Sequence, residues 1–224
     1  MSWKMASKIL VDYESSSDDD QQTLETTIKR IRTVDHIPGN WATLIYIPIV
    51  SDNLEKWIIS IFEKIKLKNP TLQKLEDMDG NIHISLCRTA YLKEYQIDRF
   101  VQSVTSKVNS FDFMNDLSQI SFSKVSIYQN DEKTRSFAAV DVHAGATALK
   151  WMVEQLNPIL LEFNQQSFYS DPKFHASFGW TTFDIRLPHF SPDELTSLHK
   201  ICCFISRIHI RVGNRVIQLD LPTS

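Results

Sequence analysis

Glycine is scarce in this chain, with five in 224 residues, and proline numbers eight; neither a collagen-like nor a low-complexity polymer is built from so little of either. No run of about 18 apolar residues occurs, so no membrane span is expected. No glycine-rich phosphate loop follows any apolar run, which argues against a doubly wound nucleotide-binding sheet. Cysteine is limited to Cys87, Cys202 and Cys203. An odd number with two adjacent fits a reducing compartment, cytosol or nucleus, better than a disulfide framework. The N-terminus also lacks the regions of a secretory signal. A dominant sign of charge is missing too: from Gly39 onward 19 basic residues face 20 acidic ones. A protein that tracks a long nucleic-acid backbone needs a basic stripe, because phosphate neutralisation supplies most non-specific affinity. Balance points instead to a short grip on one strand end, or to a small ligand.

What is present is enough for a core, at 42% hydrophobic and 11% aromatic residues, and one compact body is expected. Residues 1–37 are set apart by Ser15-Ser16-Ser17-Asp18-Asp19-Asp20 and the basic run Lys29-Arg30-Ile31-Arg32. This acidic leader has little to bury and is expected to be disordered; the functional domain is expected over 38–224. From Trp41 a β-branched and aromatic run reads as a buried strand. Asp52 and Glu55 resemble a capping box, and Trp57, Ile58, Ile61, Phe62 and Ile65 follow at helical spacing.

Further along, Ile82 to Leu86 reads as a strand, and Phe100, Val101, Val104 and Val108 mark a second helix. Residues 120–128 and 137–142 read as strands around a long polar loop. Leu149 to Phe163 is the longest helix, with a kink expected at Pro158. Phe174 to Trp180 is another strand. Ser191-Pro192-Asp193-Glu194 announces a helix expected to reach about Ile205. Gly213-Asn214 joins a closing hairpin. Strands and helices mix without a regular alternating beat, so the fold class is α+β with antiparallel sheets. The strands over 82–86 and 174–180, each bearing a histidine, lie in opposite halves of the chain, each accompanied by helices, which suggests two lobes facing one another.

The chemistry centres on His83-Ile84-Ser85 and His175-Ala176-Ser177, 92 positions apart. On a strand, residues i and i+2 share a face, so each motif presents an imidazole beside a hydroxyl. Two such strands across a groove would supply what RNA cleavage through its own 2′-hydroxyl requires. One imidazole accepts the 2′ proton, the other protonates the leaving 5′-oxygen, and hydroxyls steady the phosphate. A histidine pKa near neutrality lets both protonation states coexist, and no metal or cofactor is called for. A lone histidine on a strand is more often a core or surface group than a catalyst; having the same pair twice shifts that balance. His36, His143, His189, His199 and His209 lack such a repeat and read as structural or surface groups. His199 and Cys202 alone make a poor zinc signature. Trp41, Trp57, Trp151 and Trp180 read as core, and Lys133 and Arg135 as either phosphate contacts or solvated charges.

The paired His-x-Ser motifs resemble the two-histidine (2H) phosphoesterase superfamily, and within it the U6 small nuclear RNA phosphodiesterases, 3′-end processing exonucleases. Three longer stretches carry that narrower resemblance: residues 39–48, Ile127 to Arg135, and Phe168 to His175. It implies a fold of two pseudo-symmetric lobes around a central groove, helices outside. It implies His83 and His175 as the catalytic pair, Ser85 and Ser177 as phosphate contacts, and Tyr169 as the platform for the terminal base. Asp171, Pro172 and Lys173 would line the nucleotide site, and Asp131 would touch substrate, though as an ionised acid it accepts and does not donate.

The implied activity is 3′-to-5′ trimming of the oligo-uridine end of U6 RNA, leaving a 2′,3′-cyclic phosphate whose further opening the resemblance leaves undecided. The implied partner is a single-stranded RNA 3′ end, with no membrane. A monomer and a nuclear location are expected. The alternatives are a 2H phosphodiesterase acting on small cyclic or RNA-repair substrates, and a catalytically silent RNA-binding module.

Overall fold

The computed structural model describes residues 39–75, 82–111 and 119–222; the leader expected over residues 1–37 lies outside them. Ten strands and four helices alternate irregularly along this part of the chain. The first strand, β1 (Asn40–Ile49), is the expected β-branched run. Ile45, Ile47 and Ile49 are buried on one side of it, while Leu44 and Tyr46 are covered on the other.

Helix α1 (Asp52–Lys68) buries Leu54, Ile58, Ile61, Phe62 and Ile65, the stripe its spacing predicts. Its cap differs from the expected one. Ser51 is the extended N-cap residue, and its hydroxyl accepts from the Leu54 N–H at 3.3 Å. Asp52 and Glu55 sit in the first turn instead, where their charges oppose the positive end of the helix dipole.

The short strand β2 (Gln73–Lys74) is followed by β3 (Ile82–Ser85), β4 (Ala90–Lys93) and helix α2 (Glu94–Asn109). Then come β5 (Gln119–Gln129), β6 (Ser136–Val142) and helix α3 (Ala146–Glu162), which runs through Pro158 without a break in the helix. Strand β7 (His175–Thr181) precedes helix α4 (Pro192–His199). The capping box at Ser191 and Glu194 is present as expected, but α4 stops at His199 rather than near Ile205. The chain turns into β8 (Cys202–Phe204), whose residues pair with Gln119, Ile120 and Ser121 of β5. Over residues 202–205 burial alternates with period two, a strand's signature rather than a helix's. The closing hairpin, β9 (Arg207–Val212) and β10 (Arg215–Asp220), forms as expected, and Gly213 takes the left-handed φ of +57° that its turn demands.

All the pairings are antiparallel, in the order β10-β9-β1-β3-β7-β6-β5-β8, with β4 also on β1 and β2 also on β7. In the sheet, the half ending in β3 and the half beginning with β7 join along that central pair, registered at Ile84 opposite Ala176. Both residues are fully buried. Farther along β7 the register with β6 shifts between Ala138 and Ala139. That extra residue re-phases the strand and turns Gly179 toward the core, where a Cβ would lie 3.2 Å from the Phe62 ring of α1.

Candidate active site

The seam between the halves determines what faces outward. In an antiparallel ladder registered at Ile84 and Ala176, the flanking residues pair crosswise: His83 stands across from Ser177, and Ser85 across from His175. Because the central pair points into the core, all four neighbours point to the opposite face. All four are half-buried. The two motifs are thus related by a local half-turn, and each imidazole has the other motif's hydroxyl opposite it.

Neighbouring strands furnish the walls. On the β1 side, Pro48 is registered with His83 and Tyr46 with Ser85. The Tyr46 ring lies 4.9 Å from that of His83, tilted by 55°, and His209 packs edge-on to Tyr46 at 5.3 Å. On the β6 side, Asp141 is registered with His175. The Tyr128 ring of β5 stacks on the His175 imidazole at 3.7 Å, within 10° of parallel. The Tyr128 and Ser126 hydroxyls both donate to Asp141, at 2.8 and 2.7 Å, and Lys124 approaches that carboxylate to 3.7 Å.

The protonation of His175 follows from one contact. Its Nδ1 lies 2.7 Å from the Lys173 carbonyl. A carbonyl only accepts, so Nδ1 carries a hydrogen and Nε2 is left for proton exchange. Burial holds the His175 pKa below its ordinary value. The Lys173 carbonyl and the Asp141 carboxylate pull it back up, and the His83 imidazole is near enough to add to the lowering. Burial and Asp141 push the Tyr128 phenol up, so it remains a donor.

Tyr169 forms a second cluster. Its side chain is 47% exposed, its hydroxyl donates to Asp131 at 3.1 Å, and the Arg88 guanidinium lies 4.8 Å from its ring centre while pairing with Asp131. Beside it an open depression of about 780 Å³ is bounded by Arg88, Leu161, Gln166, Phe168 and Tyr169 among others, and by neither histidine. Pro172 is half-buried, while Asp171 and the Lys173 side chain are exposed; Lys173 meets His175 through its backbone.

Among the other sequence candidates, Trp41 is exposed rather than core, and Trp57 donates to the Glu194 carbonyl and the Ser197 hydroxyl of α4. Trp180 is buried with the Arg135 guanidinium over its ring at 5.2 Å. His199 meets the Ser123 carbonyl and stacks on His143. Among the described residues no group of three or more His, Cys, Asp or Glu side chains is arranged to hold a metal ion, and none of the described helices is long and apolar enough to cross a membrane. Sequence reasoning missed Arg88 and Asp141 and gave Tyr128 no role. Asp141 carried a readable signal, being an acid inside the otherwise apolar run of residues 137–142.

Comparison with known proteins gives the family and the fold. The family model HVSL, described as an uncharacterised conserved protein, matches residues 4–220. U6 snRNA phosphodiesterase 1 from Bos taurus is 32% identical over 205 residues, covering 86% of this chain and 74% of the relative. The Rattus norvegicus protein of the same name is 33% identical over 70% of this chain, and the match spans 57% of that relative's length. Two solved structures share the fold. Kluyveromyces marxianus Usb1 superposes with a TM-score of 0.54 at 15% identity, covering 80% of this chain and 98% of that one. Escherichia coli LigT, complexed with 3′-AMP, gives 0.52 at 7% identity, covering 82% and 96%. The family match over nearly the whole chain and the identity to the cattle relative lead to one conclusion: the chain belongs to the HVSL family, with the U6 snRNA phosphodiesterases.

Proposed function

We propose that the chain is a metal-independent RNA phosphodiesterase that trims the single-stranded 3′ end of U6 snRNA. The observation that carries this reading is the crossed register of the two His-x-Ser motifs, which faces two imidazoles and two hydroxyls onto one strip of the sheet. The 2′-oxygen of the penultimate nucleotide attacks the adjoining phosphorus. The new P–O2′ bond forms as the P–O5′ bond breaks, and the RNA is left with a 2′,3′-cyclic phosphate. His83 takes the 2′ proton and His175, through Nε2, delivers one to the departing 5′-oxygen. Ser85 and Ser177 donate to the non-bridging oxygens. Tyr169 receives the terminal base, with Asp131, Asp171, Pro172 and Lys173 around it.

The reading is supported by the name of the cattle relative and by a fold neighbour, Usb1, solved with uridine monophosphate. It makes the chain a monomer acting in the nucleus. The test is to incubate the purified protein with oligo-uridine RNA in chelator and read the products by mass. Stepwise loss of the terminal residue with a cyclic phosphate on the shortened RNA is expected. Each positioned acid or base is worth ~10²–10⁴-fold, so His83→Ala and His175→Ala should each nearly abolish turnover. Full activity in either variant, or efficient cutting next to a 2′-deoxy penultimate residue, would overturn the mechanism.

A further inference from the structure

The strands beside the seam set different rings on the two histidines: a tilted Tyr46 on His83 and a parallel Tyr128 on His175. His175 lies flat against a phenol ring, Tyr128, and that phenol is tied to a carboxylate, Asp141, registered directly across the ladder from His175. The carboxylate is partly buried, with 16% of its side chain exposed. It accepts from two hydroxyls of β5 and keeps Lys124 at 3.7 Å. A ring stacked on one side and a carbonyl gripping Nδ1 leave the imidazole a single orientation. A negative charge nearby and the π-face of an aromatic both favour an imidazole that carries a proton. Nothing in the chemistry of phosphate contact requires Tyr128, Ser126 or Asp141.

We propose that Tyr128 and Asp141 are positioning residues that orient the His175 imidazole and stabilise it in its protonated form, making His175 the proton donor of the pair. This rests on the reading of His175 as a catalytic group. Tyr128 acts by stacking and by fixing Asp141; Asp141 acts by its charge; Ser126 and Lys124 hold the carboxylate in place. The titratable and charged groups around His175 are His83 from β3, Tyr128 from β5 and Asp141 from β6, with Lys124 of β5 reaching Asp141 and Lys173, just before the strand, meeting the ring through its backbone carbonyl.

The sign of the expected pH effect is definite. A donor must be protonated, so activity falls as pH rises through its pKa. Burial lowers the His175 pKa and Asp141 works against that lowering, so neutralising Asp141 moves the alkaline limb of the rate profile to lower pH.

The experiment compares Asp141→Asn, Tyr128→Phe and Tyr128→Leu on oligo-uridine RNA, with His175→Ala as reference and thermal melting as the folding control. Asp141→Asn is expected to lower kcat by about 10- to 100-fold, part of the ~10²–10⁴-fold attached to a positioned acid, with KM within about threefold. Its alkaline limb should shift to lower pH. Tyr128→Phe keeps the stack and should lose less than Tyr128→Leu. An Asp141→Asn protein that folds and retains its kcat and profile, while His175→Ala is inactive, overturns the proposal and leaves the proposed function standing. A loss confined to KM, or a loss of kcat with an unmoved profile, overturns it equally. Activity in His175→Ala defeats the proposed function itself.

Discussion

Tyr169 illustrates how much one side chain is asked to do. Its ring is partly open to solvent, its hydroxyl is tied to Asp131, and Arg88 covers part of it. Base stacking on an aromatic is worth ~1–3 kcal/mol. In steady-state kinetics Tyr169→Ala should therefore raise KM for oligo-uridine by about 5- to 100-fold while leaving kcat within several-fold. Tyr169→Phe, which keeps the ring and loses only the Asp131 bond, should stay close to the parent protein. If the two variants behave alike, stacking is not what the ring contributes. Arg88 and Asp131 form a partly exposed pair, and such pairs add ~0–1 kcal/mol to stability. Arg88→Ala should leave the denaturation midpoint nearly unchanged in a urea titration, so any change in RNA binding reports the site and not the fold.

Among the elements, α4 shows how local chemistry and tertiary contact combine. Ser191 and Glu194 close its N-terminus reciprocally, and Glu194 also pairs with Lys64 of α1. The Lys64 contact first, and the Ser191 N–H with it, hold the Glu194 carboxyl down at about 2 from an ordinary 4.5. A depressed carboxyl contributes stability that is present above its unfolded pKa and disappears as pH falls through the folded one. The contact between α1 and α4 should therefore weaken between pH 4.5 and 2, and less so in Lys64→Met; acid titration followed by tryptophan fluorescence, with Trp57 at this contact, checks it. Ser191→Ala should cost ~0.5–2 kcal/mol as the loss of an N-cap, measured by chemical denaturation.

Elements of this kind were the legible part of the sequence. Helices with an unbroken apolar stripe, such as α1, and strands with turn residues at fixed offsets, such as β9 and β10, declare themselves locally. The end of α4 did not, because Cys202 to Phe204 takes its hydrogen bonds from β5, some 80 positions earlier. Strands β2 and β4 went unseen for the same reason: two or four residues carry too little periodicity, and their pairing partners are distant. The histidines and serines of the site were legible from repetition. Asp141 and Arg88 were not assigned, since their meaning lies in what they touch.

For the molecule as a whole, the decisive feature is the β3–β7 seam at the centre of the sheet, registered at Ile84 and Ala176. Both side chains are fully buried, so Ile84→Ala should cost ~2–5 kcal/mol as a core truncation. Ala176→Leu, forced into a filled space, should cost ~1–3 kcal/mol. The second change should also lower kcat by more than its stability loss explains, because prying the strands apart moves each imidazole away from the opposing hydroxyl. Measuring both variants for melting temperature and turnover, well below their melting points, separates the two effects. Equal kcat in a destabilised Ala176→Leu would mean the spacing across the seam is not catalytic.

The half-turn that relates His83-Ile84-Ser85 to His175-Ala176-Ser177 has a consequence for direction. To a phosphorus atom lying on the axis, the nearest donors look the same from either side, so on their own they could not tell the attacking oxygen from the departing one. Polarity has to be imported from beyond the axis. The phenol and carboxylate that flank one imidazole supply it, and they give a nearly palindromic floor a head and a tail.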